Sequence, residues 1–132
     1  MDDIKFNSLI PELSVSDINK SKEFYLKLGF TIKYERVIDK FCFLELEDNQ
    51  IMIEENNDNW KTGELEYPYG RGINISMSVS SIDKYYQRVI DSGIKLFLEL
   101  ETHEYQVDSK IYYDKEFLVQ DIDGYLLRFN NK

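Results

Sequence analysis

One cysteine and one histidine in 132 residues leave no intrachain disulfide and no Cys/His spacing of the zinc-binding kind. Cys42 lies inside the apolar run FCFLEL, where a thiol serves as a small buried hydrophobe. Proline is nearly as scarce, at two residues, and no apolar stretch approaches the ~18 residues of a membrane span. Positive charge is in deficit: 16 Lys and Arg against 25 Asp and Glu give a net charge of -9. A field of that sign repels phosphate backbones and anionic lipid while gathering cations, so neither nucleic acid nor membrane is an expected partner. The opening MDDIKFNSLIPEL has neither the basic nor the apolar segment of a secretory signal, which makes the cytoplasm the expected location. No phosphate-binding loop or Ser-His-Asp set occurs, and Gly70 and Gly72 in YGRG read as a turn leading into a strand. His103, in the acidic stretch ETHEYQ, reads as a surface-loop residue with no partner to orient it as a general base.

Rings are abundant instead. Ten Tyr, eight Phe and one Trp make 14% of the chain, more than a core of this size absorbs, so some of them are expected to line a surface or groove. With 42% hydrophobic residues, positions 1–132 are expected to form one domain.

The stretch SVSDINKS, residues 14–21, returns as SVSSIDKY, residues 78–85, at an offset of 64. The same offset brings Ile18 onto Ile82, Gly29 onto Gly93 and Ile32 onto Leu96. Each copy reads as a strand (LIPELSV, INISMSV), a helix opened by Asp17 or Ser81 and closed by Gly29 or Gly93, then a second strand. Further on, an offset of 74 brings Phe43 onto Phe117 and QIMIE onto GYLLR, which places a ten-residue insertion within ETHEYQVDSKIYYD. EDNQ and DIDG read as tight turns between strands. The fold expected is therefore α+β: two βαβββ modules in tandem, residues 1–56 and 71–132, joined by the aromatic linker 57–70. Alternation at period two puts Ile75, Met77 and Val79 on one side of a strand and Asn74, Ser76 and Ser78 on the other. Two curved mixed sheets, each with a helix on its outer face, would leave a concave polar and aromatic groove, the usual form of a small-molecule site.

VSDINKSKEFYLKLGF and the terminal EFLVQDIDGYLLRF, with Ile122 where a proline is usual, resemble the vicinal oxygen chelate superfamily of glyoxalases, bleomycin resistance proteins and extradiol dioxygenases. The resemblance covers essentially the whole chain. It implies that a divalent metal, where present, is held at the positions of Ile10, Glu54, Asn74 and Arg128. Ile has no donor and Arg is a permanent cation, so no metal and no other cofactor is expected, and no catalytic residue is assigned. Glu54 and Arg128 are expected to pair with each other instead.

The chain looks most like the metal-free bleomycin resistance proteins, which implies a small-molecule binder that sequesters a basic, aromatic antibiotic as a homodimer. Rings at Trp60, Tyr67, Tyr69, Tyr112 and Tyr113 would stack on the ligand, and Glu12, Glu54 and Asp114 would receive its cationic part. Met52, Asn74 and Arg128 complete the expected ligand-binding set. The alternative implied by the same resemblance is a metal-dependent lyase, isomerase or thiol transferase of the glyoxalase or fosfomycin-resistance type.

Overall fold

The computed structural model describes residues 3–131. Its elements run β1 (Glu12–Val15), α1 (Ile18–Leu28), β2 (Thr31–Arg36), β3 (Phe41–Leu46), β4 (Asn49–Glu55), β5 (Asn74–Val79), α2 (Ile82–Asp91), β6 (Leu96–Val107), β7 (Lys110–Gln120) and β8 (Leu126–Asn131). They group into two compact units that divide between Tyr69 and Gly70. Each unit has the order β-α-β-β-β, and the sheets share one topology, β1-β4-β3-β2 and β5-β8-β7-β6. In both, the first strand runs parallel to the last and the remaining pairs are antiparallel. This is the tandem α+β architecture the repeated phrase implies.

Local chemistry fixes the helices. The Asp17 carboxylate accepts from the backbone N–H groups of Asn19 and Lys20 at 3.0 and 3.1 Å, satisfying two donors that the first turn of α1 leaves open. Gly29, at φ 115, ends the helix in the left-handed region. Ile18, Phe24, Tyr25 and Leu28 form its buried stripe against β2, β3 and β4. In α2 the N-cap is Ser81, as its position suggests, but its hydroxyl makes no capping bond; Asp83 in the first turn supplies a favourable negative charge instead.

Strand β1 is shorter than LIPELSV suggests. Pro11 has no N–H to give to a ladder, so pairing starts at Glu12, and Ile10 lies ahead of the strand. The expected insertion in the second half is not a loop either. It lengthens β6 and β7 into a hairpin of 12 and 11 residues, against six and six for β2 and β3.

The helix-facing side of each sheet is apolar. Leu13, Val15, Leu44, Ile51 and Ile53 are buried in the first unit, and Met77, Val79, Phe117, Leu127 and Phe129 in the second. Phe117 and Phe129 stack across β7 and β8 with centroids 4.8 Å apart. The opposite, open sides carry the polar residues and, with them, the candidate functional groups.

Candidate functional site

Register decides which groups share an open side. In the first sheet Glu12 lies beside Met52, Met52 beside Phe43, and Phe43 beside Tyr34. One row on, Ser14, Glu54, Phe41 and Arg36 are neighbours. The Arg36 guanidinium sits 3.9 Å above the Phe41 ring, and Tyr34 stacks on Phe43 at 5.3 Å. The result is an aromatic floor with two carboxylates at its margin. Burial, together with the neighbouring Glu54 carboxylate, raises the Glu12 pKa above its ordinary 4.5, with Arg36 opposing. Glu54 accepts from the Asn57 side chain at 3.0 Å. That floor was not legible as such, because the run FCFLEL reads as apolar on both sides.

The chain preceding β1 crosses this floor. Phe6 meets Phe43 edge-on at 5.3 Å, and the buried Gln50 holds the segment by accepting from Asn7 N at 2.7 Å and donating to Lys5 O at 2.6 Å. An open cavity of about 440 Å³ lies beside Glu54, between the turn at 38–40 and the loop that follows β4. In that loop Trp60 is 84% exposed and has φ 61, a left-handed conformation that a bulky side chain adopts only at a cost. Asn56, Asn57 and an ion pair from Lys61 to Asp58 at 2.8 Å brace it. Tyr67 is exposed and Tyr69 half-buried further along the same segment.

In the second sheet the open side carries Asn74 at the start of β5, then Ser76 beside Arg128, and Arg128 beside Leu118. Glu116 faces Asn130 on β8 and Glu101 on β6. His103 Nε2 stands 3.1 Å from the Glu101 carboxylate and 3.3 Å from that of Glu116. Arg128 Nε is 3.8 Å from Glu116, beyond hydrogen-bond reach, and is buried with no hydrogen-bond partner. His103 is therefore not a loop residue: it lies within β6 and has the orienting carboxylates that its sequence context hides. Within its own unit Glu54 has Asn57 as a partner, and Arg128 has Glu116.

The ring pair IYY is split by the pleat. Tyr112 lies opposite Tyr105, stacked at 5.6 Å, and Asp114 opposite His103, so both share the open side. Tyr113 pairs with Glu104 and points to the other side. Tyr112 and Tyr113 cannot line the same surface of the sheet.

Register also corrects the correspondence between the halves. Glu12 and Ser76 are 64 apart, like the helices that follow them; their neighbours are Met52 and Arg128. The counterpart of Arg128 is therefore Met52, and that of Glu54 is Asn130, beside Ser78 as Glu54 is beside Ser14. Phe43 likewise faces away from the helix, where it is fully buried against Phe6 and Tyr34, while Phe117 is buried on the helix-facing side. The offset is 75 in β7, where Leu118 is the counterpart of Phe43, and 76 in β8, because the last turn is one residue longer: Ile122, Asp123 and Gly124 separate the bonded pair Asp121 and Tyr125, where Glu47 and Asp48 separate Leu46 and Asn49.

The donors at these positions do not suit a divalent metal. Of the expected positions, the first unit provides Ile10, which has no donor, and Glu54, a single carboxylate; the second provides Asn74, a neutral amide, and Arg128, a permanent cation. Among the described residues no group of three or more His, Cys, Asp or Glu side chains could hold a metal ion. No helix among them is long and apolar enough to cross a membrane.

Twin βαβββ modules with mixed four-stranded sheets define a known class of fold, and residues 6–129 match the model of the glyoxalase/bleomycin resistance protein/dioxygenase superfamily. The chain belongs to that superfamily. A superfamily member from Vibrio splendidus 12B01 is 38% identical over 93% of this chain and 97% of its own, with a TM-score of 0.45. TioX from Micromonospora sp. ML1 is similar in structure, with a TM-score of 0.75 at 15% identity over 96% of this chain and 98% of its own. A bleomycin-binding protein complexed with bleomycin has a TM-score of 0.67 at 17% identity, over 96% of this chain and 99% of its own. The last two likenesses are of fold. No curated protein matches the chain significantly.

Proposed function

We propose that this chain is a metal-free binding protein that sequesters a basic, aromatic small molecule of the bleomycin type and so protects a cell from it. The observation that carries the reading is the meeting of aromatic side chains with two carboxylates, Glu12 and Glu54, on one side of the first sheet. Tyr34 and Met52, partly exposed above the buried rings of Phe41 and Phe43, offer polarisable contacts, while Glu12, made harder to ionise by its surroundings, gains from an arriving cation. Fold kinship with a bleomycin-binding protein supports the same class of ligand.

In this reading Glu54 adds negative charge on the first unit, where Trp60, Tyr67 and Tyr69 add rings, and on the second unit Asp114 offers a charge and Tyr112 a ring. Tyr113 does so only from the other side of its sheet. Asn74 and Arg128 set polar specificity. The protein acts in the cytoplasm as a homodimer, because free sheet edges favour a second chain.

Trp60 is the only tryptophan, so its fluorescence reports binding directly. Titration with metal-free bleomycin gives a saturable change at micromolar drug, and expression in a sensitive bacterium raises tolerance. Absence of any saturable change sinks the drug assignment. Stoichiometric transition metal in the purified protein, with a chemical activity lost on chelation, would favour the enzyme alternative.

A further inference from the structure

Of the four edge strands, β2 and β6 occupy the same place in the two sheets and differ in how they are defended. A sheet edge presents unpaired N–H and C=O groups that template another strand, and proteins blunt such edges with short strands, bulges and basic residues. Edge strand β2 has six residues, a register break at Ile32/Tyr34, and Lys33 and Arg36 along it. Lys33 reaches Glu45 at 3.4 Å, and Lys22 from α1 clamps Glu35 at 2.9 Å. Edge strand β6 has 12 residues with no Lys, Arg or Pro. Its breaks are confined to its base, and from Glu101 to Val107 the ladder with β7 is unbroken. Every residue of that segment is exposed, including Tyr105 at 50% and Val107 at 49%.

Charge narrows what fits. Glu99, Glu101 and Glu104 lie on β6, with Glu116 and Asp114 behind them on β7. A second copy pairing through the same edge would bring both sets of carboxylates together between chains of net charge -9. A basic strand meets the opposite situation. We infer that the outer edge of β6, from Glu101 to Val107, receives an extended peptide segment with Lys or Arg at alternate positions as a fifth strand of the second sheet. Backbone pairing supplies affinity, and alternate side chains supply specificity. Cations on the open side face Glu101 and Glu116, which flank His103 Nε2 at 3.1 and 3.3 Å, and an apolar residue beyond them meets the stacked Tyr105 and Tyr112. This inference is independent of the small-molecule reading.

A fluorescein-labelled peptide of alternating lysine and threonine, eight residues long, tests it by anisotropy at low salt. A control with every second backbone nitrogen methylated keeps the charge and abolishes strand pairing. Saturable binding is expected, weakened at least tenfold in the control and at least tenfold by Glu101→Lys with Glu104→Lys, alongside slowed amide exchange at 101–107. Thr102→Pro, which distorts the edge, is expected to act like the control; circular dichroism checks that each variant is folded. Equal binding of the methylated control, indifference to the charge reversals, or no saturable binding overturns the inference. So does a protein dimer that Thr102→Pro dissociates, since the edge would then belong to a second copy.

Discussion

The two halves start from one plan and diverge in their second hairpin. In the first half β2 and β3 are short, joined by a four-residue turn at 37–40, and their open side is an aromatic floor on which Phe6 rests. In the second half β6 and β7 are about twice as long, and their open side carries Arg128, Glu116, His103 and Asp114 with only the Tyr105–Tyr112 pair among them. Duplication conserves the helix-facing core because packing punishes change there, while the open sides are free to specialise. One half now offers rings and the other offers charge.

The largest expected effect separates two phenylalanines that sequence alignment treats as twins. Phe117→Ala opens a hole beneath α2 and costs roughly 3–5 kcal/mol, measured by urea denaturation. Phe43→Ala also empties a fully buried site and is expected to cost a similar amount, but because its ring packs against the strap at Phe6 rather than a helix it should in addition speed amide exchange in residues 5–7 and weaken ligand binding. No change in exchange would erase the distinction between the halves.

A middle-sized effect concerns the start of the second unit. A Cβ on Gly70 would lie 2.6 Å from the Tyr125 ring at a φ of +71, whereas one on Gly72, at φ +85, meets nothing within 4 Å. Both Gly→Ala changes bear the left-handed penalty of roughly 1–2 kcal/mol, and only Gly70→Ala adds a clash. Thermal melts should therefore rank Gly70→Ala clearly below Gly72→Ala.

Much of this was legible in the sequence. Asp17, Gly29 and Gly93 mark helix ends by capping chemistry, and the alternation in INISMSV sorts core from open side at period two. The rest was not, for a reason that Phe43 and Phe117 make concrete. Matching like residues fixes an offset, whereas register is fixed by turn length, and a slip of one residue reverses every side chain in a strand. One residue of slip before β7, which makes Leu118 the counterpart of Phe43, and one more in the turn between Asp121 and Tyr125 together moved the counterpart of Arg128 from Glu54 to Met52. His103 stayed hidden because a polar, acidic strand such as ETHEYQV lacks the apolar alternation that betrays a strand; only pairing with IYYDKEF shows it.

The smallest effect sharpens the contrast in charge. Glu12 has its folded-state pKa raised, so its ionised form costs stability at neutral pH, and that cost vanishes as pH falls through the raised value toward 4.5. Glu12→Gln is therefore expected to raise Tm at pH 7 by about a degree or two, to leave it unchanged below pH 4.5, and to weaken a cationic ligand. A fall in Tm at pH 7 would mean that the carboxylate is held by its neighbours rather than crowded by them.

The central claim is that the chain binds a basic aromatic ligand without the help of a metal. Calorimetric titration of bleomycin into the protein, before and after exhaustive dialysis against a chelator, tests it most directly. The account predicts the same Kd and heat in both samples. Binding that disappears with the chelator and returns with a divalent cation would contradict it.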